Sequence, residues 1–233
     1  MRRALLIGLA AAGLTATASI PFAAPAQNAA RDWTKSVATT PDGGYRIGNP
    51  AAAVKLVEYG SLTCDHCANF AEQGVPRLLD KYVKSGKVSF EFRNFVRDPA
   101  DLAAAILSRC TTPDRYFALT DRYFKMQPQW FGRFQGMTDA QAKEIEALSP
   151  ADRIPRFAAF GGLDAIAAQQ GVAPAKAKAC LMDNAAATKL AEMRKVAIEQ
   201  HQLQGTPTFL INGKKAAAHD WATLEPLLQQ PPG

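Results

Sequence analysis

Two cysteines three residues apart, Cys64 and Cys67, enclose an aspartate and a histidine in the stretch SLTCDHCANF. A C-x-x-C pair supports three chemistries: half of a zinc site, a metal-chaperone loop, or a dithiol that exchanges electrons. The pair alone does not choose among them. The compartment, the flanking pattern and distant residues must decide.

The rest of the sequence argues against a metal site. A structural zinc ion takes four ligands, usually from two close pairs, whereas Cys110 and Cys180 stand alone and 70 residues apart. Small copper-chaperone modules are far shorter than this 233-residue chain. A purely structural C-x-x-C disulfide remains an alternative. The pair therefore favours redox exchange, and we expect neither a metal nor another cofactor.

The first 26 residues indicate export. Arg2 and Arg3 precede an apolar run from Ala4 to about Ala18, and Ala24-Pro25-Ala26 supplies a small-x-small cleavage site. This is the pattern of a secretory signal peptide cleaved near Ala26, and the run is short for a membrane span, although an uncleaved anchor is the alternative. We expect a protein of the bacterial periplasm without stable membrane insertion, in an oxidising space where cysteines pair.

The charge gives no reason to expect nucleic acid as a partner. Removal of residues 1–26 takes away two arginines and lowers the formal net charge from +6 to +4. A positive surplus that small, spread over the remaining chain, is not the electrostatic footprint of a nucleic-acid-binding protein.

Periodicity in the first half of the chain predicts a lead-in followed by a βαβ unit. Residues 27–43 are polar without a sustained period, which predicts a mobile lead-in. Val54 to Tyr59 alternates and is β-branched, Cys64 to Lys84 has helical spacing, and Val88 to Phe95 alternates again. A strand, a helix and a strand form a βαβ unit, whose right-handed crossover makes the two strands parallel.

A helical region interrupts the β pattern. Residues 99–204 carry helical spacing with almost no strand signal, after which Thr208 to Ile211 predict a strand and Asn212-Gly213 a hairpin turn. The sequence thus predicts one α/β domain, residues 44–98 and 205–230, with an inserted all-helical domain, residues 99–204.

The predicted start of the first helix gives the two cysteines different roles. Their i, i+3 spacing places both sulfurs on one face, close enough to bridge. At a helix N-terminus the exposed N–H groups and the macrodipole stabilise the Cys64 thiolate, and a protonated or hydrogen-bonding His66 adds to this. Cys67, deeper in the turn, is the expected buried thiol that resolves a mixed disulfide formed at Cys64.

A remote motif, Gly205-Thr206-Pro207-Thr208-Phe209, stands directly before the predicted strand, at a position compatible with a cis peptide bond. A strand, CDHC at a helix start, a helical insertion, GTPTF and a hairpin together resemble the DsbA-like branch of the thioredoxin superfamily over residues 54–230. The resemblance implies an α/β thioredoxin fold with an inserted all-helical domain. It also implies that Gly205, Thr206 and Pro207 form a cis-proline loop against the Cys64–Cys67 disulfide, which offers its backbone to an extended substrate peptide.

The same resemblance assigns roles to two carboxylates. Glu58, six residues before Cys64, would be a buried acid that relays protons for the resolving cysteine, with a pKa raised by its apolar strand. A Glu58 that merely faces solvent is the alternative. Asp65 stands where oxidases of the family commonly have proline, and like-charge repulsion from its carboxylate is expected to raise the pKa of Cys64.

The second cysteine pair, Cys110 and Cys180, is expected to be structural. Each thiol lies on the apolar face of a predicted helix and points towards the helical core. Export favours a bridge between them, and two buried free cysteines are the alternative. Some members of the DsbA-like branch carry a second disulfide in the inserted helices.

The sequence therefore predicts a periplasmic thiol–disulfide oxidoreductase that introduces disulfides into exported proteins with free thiols, through Cys64, Asp65, His66 and Cys67. By family resemblance, a quinone-linked membrane partner reoxidises it. A reductase or isomerase of the same fold is the alternative within the class. A non-catalytic peptide-binding or chaperone module with an inert disulfide is the alternative from another class.

Overall fold

A computed structural model of the protein describes residues 31–229. The predicted signal peptide, residues 1–26, lies outside the described residues. Between residues 31 and 229, no helix combines the length and the apolar character needed to cross a membrane.

A six-stranded mixed sheet forms the centre of the described fold. Its strands are β1 (Val37–Thr39), β2 (Tyr45–Gly48), β3 (Val54–Gly60), β4 (Val88–Asn94), β5 (Thr208–Ile211) and β6 (Lys214–Lys215). They lie in the order β1-β2-β4-β3-β5-β6. Strands β3 and β4 are parallel, as a βαβ unit requires, and the other neighbouring pairs are antiparallel. This is the thioredoxin-fold sheet that the sequence predicted.

Helices cover the sheet and fill the interval between β4 and β5. Those of the βαβ crossover are α1 (Asp65–Gln73) and α2 (Val75–Leu78), continued by a π-helical segment, Leu79–Val83. Those between β4 and β5 are α3 (Pro99–Arg109), α4 (Pro113–Lys125), α5 (Gln127–Gln135), α6 (Asp139–Glu146), α7 (Pro150–Gly161), α8 (Leu163–Gln169), α9 (Pro174–Leu181) and α10 (Asn184–His201). The last is α11 (Trp221–Leu228).

The segment before residue 44 differs from the expected mobile lead-in. A 3-10 turn, Trp33–Lys35, leads directly into β1, whose Val37 pairs with Ile47 of β2. Asp32 caps this turn by accepting a hydrogen bond from the Thr34 N–H at 3.0 Å. The sequence did not predict this strand, because its three residues are partly exposed and too few to show a recognisable alternation of apolar and polar residues.

The predicted helix from Cys64 to Lys84 is divided at Gly74, two residues before Pro76. Gly74 ends α1, and a Cβ at this position would lie 2.6 Å from the ring of Phe70. Pro76 then occupies the first turn of α2, where its missing N–H has no helical partner to lose.

Small residues in α3 allow the inserted helices to pack closely around it. Ala103, Ala104 and Ala105 are completely buried, so neighbouring helices approach the α3 backbone without a cavity. At the end of α3, Cys110 forms a disulfide with Cys180 of α9, with the two Cα atoms 6.1 Å apart. The bridge therefore joins the first of these helices to one near the end of the insertion.

Removal of the second disulfide should destabilise the protein without affecting the dithiol. The bridge spans a sequence separation of 70 residues, and its loss returns conformational freedom to the unfolded chain. We expect the Cys110→Ala/Cys180→Ala double variant to lose about 2 to 5 kcal/mol of unfolding free energy in urea denaturation. Thiol exchange at Cys64 should be unchanged. Equal unfolding free energies for both proteins would contradict a stabilising role.

Candidate active site

The dithiol lies where β3 passes into α1. Cys64 is the N-cap residue of α1, with extended backbone angles of φ −95° and ψ 122°, and its carbonyl accepts the first helical hydrogen bond from Ala68 at 3.0 Å. No side-chain oxygen caps this helix. The sulfur of Cys64 occupies the position where an N-cap oxygen would receive the free N–H groups, which is a site that favours an anion.

The surroundings of Cys64 favour its thiolate. The pKa of Cys64 is lowered from 9.0 to about 5, and the largest cause is a hydrogen bond from the Cys67 side chain. Desolvation opposes this change, whereas the side chain of Thr206, the backbone N–H of Cys67 and the charge of Arg97 contribute to it. Cys64 is only 2% exposed, so the reactive sulfur lies in a nearly closed site.

The pKa values of Cys67 and Glu58 are raised, whereas that of Cys64 is lowered. Cys67 and Glu58 are both buried, and burial is the main cause that raises the pKa of each well above its usual value. The Cys64 charge raises the pKa of Glu58, and Glu58 in turn raises that of Cys67. The reduced site therefore favours a Cys64 thiolate, a Cys67 thiol and the protonated form of Glu58. A solvent-facing Glu58 is ruled out by its 2% exposure.

The GTPTF motif reaches the dithiol from the neighbouring strand. Strand β5 pairs with β3 so that Phe209 lies opposite Glu58, which carries the preceding residues to the carboxyl end of β3. The Thr206–Pro207 peptide bond is cis. In its protonated form the Cys64 thiol donates to the Thr206 carbonyl at 3.2 Å, a hydrogen bond that the thiolate cannot make. Gly205 is exposed and Pro207 is buried, so the loop has one side open to a substrate.

Asp65 and His66 are both exposed on the first turn of α1. The Asp65 carboxylate accepts a hydrogen bond from the His66 backbone N–H at 2.9 Å, within its own helix. The main contributions to the pKa of Cys64 come from other groups, and the charge among them is that of Arg97. Arg97, which the sequence did not single out, thus contributes to the low pKa of Cys64, and the role expected of His66 stays a prediction.

A polar cluster that the sequence did not predict lies beneath the loop that precedes Cys64. Asp101 is completely buried and accepts hydrogen bonds from the Ser61 hydroxyl at 2.6 Å and the Leu62 N–H at 2.9 Å. Arg97 donates to the Ser61 hydroxyl at 3.0 Å and to the Thr63 carbonyl at 2.6 Å. Burial raises the pKa of Asp101 to about 7. These contacts fix the loop that sets the position of the Cys64 sulfur.

Gln127 fixes the same loop from the inserted helices. Its side-chain N–H₂ donates to the Leu62 carbonyl at 2.8 Å and to the Cys64 carbonyl at 3.0 Å, and the residue is buried. No local pattern marked Gln127 or Arg97 in the sequence. The Asp98-Pro99 pair is a helix-start signal, and Asp98 does cap α3 by accepting from the Asp101 N–H. That signal places Asp101 in a first helical turn but does not reveal its contact with the loop.

A cleft of about 470 Å³ runs beside the dithiol turn on the side of α11. Two exposed histidines, His66 and His219, belong to its wall together with Arg77, and Phe70 and Trp221 contribute aromatic surface. Since His66 lies between the two cysteines in sequence, the cleft adjoins the reactive site.

Known proteins are similar to this chain in sequence and in fold. The thioredoxin family model matches residues 40–230. A solved protein-disulfide isomerase from Novosphingobium aromaticivorans has a TM-score of 0.75 and 36% identity, with 79% of this chain and 97% of that chain covered. The alpha-DsbA1 structure of Wolbachia pipientis has a TM-score of 0.61 and 24% identity, with 84% of this chain and 94% of that chain covered. The second likeness concerns the fold alone.

The Rickettsia relatives matched by sequence are longer than this chain. A Rickettsia bellii protein named as a protein-disulfide oxidoreductase is 29% identical over 168 residues, which is 72% of this chain. The match covers 56% of that relative. The chain therefore spans little more than half the length of this relative.

The charge of Arg97 should be measurable at Cys64. Because Arg97 lowers the pKa of Cys64, Arg97→Gln should raise that pKa by up to about one unit, followed as thiolate absorbance against pH. Arg97→Lys keeps the charge and should change the pKa less. Asp65→Asn, at an exposed position, is the matched surface control and should also have a smaller effect. An unchanged pKa in Arg97→Gln would contradict this account.

The stability of the reduced protein should depend on pH through Cys64. Folding depresses the pKa of Cys64 from 9.0 to about 5, so its stabilisation is full above the unfolded pKa and is lost as the pH falls through the folded one. The unfolding free energy of reduced wild type minus that of reduced Cys64→Ser should therefore grow as the pH rises from about 5 towards about 9.

Urea denaturation with excess reductant measures this difference. The comparison with Cys64→Ser is necessary because the raised pKa values of Asp101 and Glu58 act with the opposite sign: their contributions weaken as the pH rises. A difference that stays constant across the range would mean that folding does not favour the Cys64 thiolate.

Proposed function

The chain belongs to the thioredoxin family and has the fold of DsbA-like proteins, and we propose that it is a protein thiol–disulfide oxidoreductase that acts through Cys64 and Cys67. The observation that carries the proposal is the inequality of the two thiols. Cys64 has a pKa of about 5, whereas burial raises that of Cys67 well above 9.0. An inert structural disulfide has no need of a stabilised thiolate.

The geometry supports an exchange in two steps. A substrate thiolate attacks the Cys64 sulfur of the oxidised site, the Cys64–Cys67 bond breaks, and Cys67 leaves and takes up a proton, for which Glu58 is the adjacent donor. A second substrate thiolate then attacks the substrate sulfur of the mixed disulfide. Cys64 leaves as a thiolate, which its low pKa makes easy, and the substrate acquires the disulfide. The enzyme is left with two thiols.

A protein substrate fits the surroundings of the dithiol. The backbone at Gly205 is open, with no other atom within 4 Å of the position a Cβ would take. We propose that an extended peptide pairs with this loop by strand addition, while a side chain next to the reactive cysteine enters the cleft between His66 and Trp221. Unfolded or partly folded proteins with free thiols are the substrates that suit such a site.

Location and reoxidation belong to the same proposal. The leader of residues 1–26 supports export to the periplasm, where substrates with unpaired thiols need disulfides. An oxidase that has donated its disulfide needs an electron acceptor, and the resemblance to DsbA-like proteins supports a quinone-linked membrane partner for that step. The division of the chain into residues 44–98 with 205–230 and residues 99–204 is retained as a proposal, with the α/β part extended to β1.

Isomerase activity is a second candidate, favoured by the 36% identity to the Novosphingobium protein-disulfide isomerase. The reduction potential separates the two activities. Reference values are about −120 mV for DsbA, about −180 mV for protein disulfide isomerase and about −270 mV for thioredoxin. The pKa of Cys64, about 5, lies between those of the first and last, about 3.5 and about 7.

We expect substrate trapping to assign the roles of the two cysteines. Incubation of Cys67→Ser with a reduced, unfolded protein in the presence of a disulfide oxidant should accumulate mixed disulfides on non-reducing gels, because the resolving thiol is gone. Cys64→Ser should form none, because burial raises the pKa of Cys67 well above 9.0 and disfavours the attacking thiolate. The Cys110→Ala/Cys180→Ala variant is the matched control and should exchange like wild type. Adducts on Cys64→Ser instead would reverse the roles.

The reduction potential of the wild-type protein distinguishes an oxidase from an isomerase. Equilibration of wild type with glutathione should give a potential between about −120 and about −270 mV. A value near the upper end, with fast oxidation of a reduced substrate, supports the oxidase. A value near −180 mV, about that of protein disulfide isomerase, with recovery of a scrambled substrate supports the isomerase. A bridge that glutathione does not reduce would overturn both.

A further inference from the structure

A second cleft, on the far side of α1 from His219, reaches the buried acid from the protein surface. It has a volume of about 330 Å³ and lies between the α1–α2 segment and α4, over the β3–β4 part of the sheet. Its lining consists of Glu58, Ala71, Val75, Pro76, Leu79, Phe90, Phe92, Phe117, Ala118, Thr120, Asp121 and Phe124. Pro76 and Ala118 are exposed at the surface end, and Glu58 is 2% exposed at the inner end.

Glu58, at the inner end of this cleft, carries an unsatisfied hydrogen-bonding atom. Its Oε1 is buried and has no hydrogen-bond partner among residues 31–229. A buried polar atom without a partner costs free energy, and in native proteins such an atom calls for a ligand or a water. Burial raises the pKa of this carboxyl and favours its protonated form, which can both donate and accept a hydrogen bond.

The other residues that line the cleft indicate the chemical character of a ligand that would fit it. Four phenylalanines line the cleft, and their rings already form aromatic pairs: Phe92 with Phe124 and Phe90 with Phe117, each with centroids 6.0 Å apart. Aromatic rings prefer such offset or edge contacts with another ring. No basic side chain belongs to the described lining. Asp121, near the surface, already binds Lys125 at 2.7 Å.

We propose that this cleft is a binding site for a small, uncharged aromatic molecule with one hydroxyl group, which lies among the phenylalanines and hydrogen-bonds to Glu58. The volume is at the lower end of the range for small-molecule sites and suits a ligand of about ten to fifteen non-hydrogen atoms. The absence of a described basic side chain disfavours an anion, and a protonated Glu58 disfavours a cation. The proposal concerns binding and does not require that the dithiol be catalytic.

Calorimetric titration with two matched probes tests the site. The first probe, 2-naphthol, has a hydroxyl that donates; the second, its methyl ether, has the same ring system but no donor. We expect 2-naphthol to bind reduced wild type at one saturable site, about 3- to 10-fold more tightly than the ether, because one hydrogen bond to Glu58 is lost. In Glu58→Leu, the two probes should bind with affinities within about twofold of each other.

Variants at the surface end locate the binding. Ala118→Phe places a ring at the mouth of the cleft and should weaken both probes by at least about tenfold through steric exclusion. Ala168→Phe, at an equally exposed alanine on α8 outside the cleft, is the matched control and should bind like wild type. Circular dichroism verifies that each variant is folded.

Three results would overturn the proposal. Absence of saturable binding to folded wild type would mean that the cleft holds water only. Equal binding by Ala118→Phe and wild type would place the probe elsewhere. An advantage of 2-naphthol that persists in Glu58→Leu would show that its hydroxyl does not meet this carboxyl.

Discussion

The hydrogen bond between the two cysteine side chains is the interaction on which the site depends. It is the largest cause that lowers the pKa of Cys64, and it also raises that of Cys67. One contact therefore holds the reduced pair with a single negative charge, on the sulfur at the helix N-terminus. A disulfide has neither the charge nor the hydrogen bond, so this contact stabilises the reduced form alone. Oxidising power is the thermodynamic consequence.

The inserted helices take part in this arrangement. The loop of residues 61–64 has little regular structure, and its geometry depends on partners from outside the βαβ unit. Asp101, at the start of α3, accepts hydrogen bonds from two groups of this loop. Gln127, at the start of α5, donates hydrogen bonds to two carbonyls of the loop. Hydrogen bonds from fixed side chains to the loop backbone determine where the loop lies. The inserted helices therefore form part of the redox site and do more than cover it.

The parts of the site with a local signal were predictable, and those assembled by tertiary contact were not. Cys64 and Cys67 follow from C-x-x-C spacing, whereas Pro207 and Glu58 were assigned by resemblance to DsbA-like proteins, from a proline before a strand and an acid six residues before Cys64. Strand β1 was missed because its three residues are too few to show alternation. Arg97 reaches the loop only because β3 and β4 are parallel with Gly60 beside Asn94. That register is a property of the sheet and leaves no trace in the residues around Arg97.

Two buried carboxyls lie near the dithiol, and their hydrogen bonds distinguish their roles. Asp101 accepts from the Ser61 hydroxyl, the Leu62 N–H and the Arg97 N–H, so its oxygens are occupied. Those bonds oppose the rise of its pKa, which burial carries to about 7. Glu58 has an unpartnered oxygen and a neighbouring cleft open to the surface. A group that must gain and lose a proton in each cycle needs a free oxygen and a route to solvent. A group that holds a loop in place needs oxygens that are occupied by hydrogen bonds to that loop. These contacts support the proposal that Glu58 exchanges protons with the dithiol, and they fit Asp101 to positioning the loop.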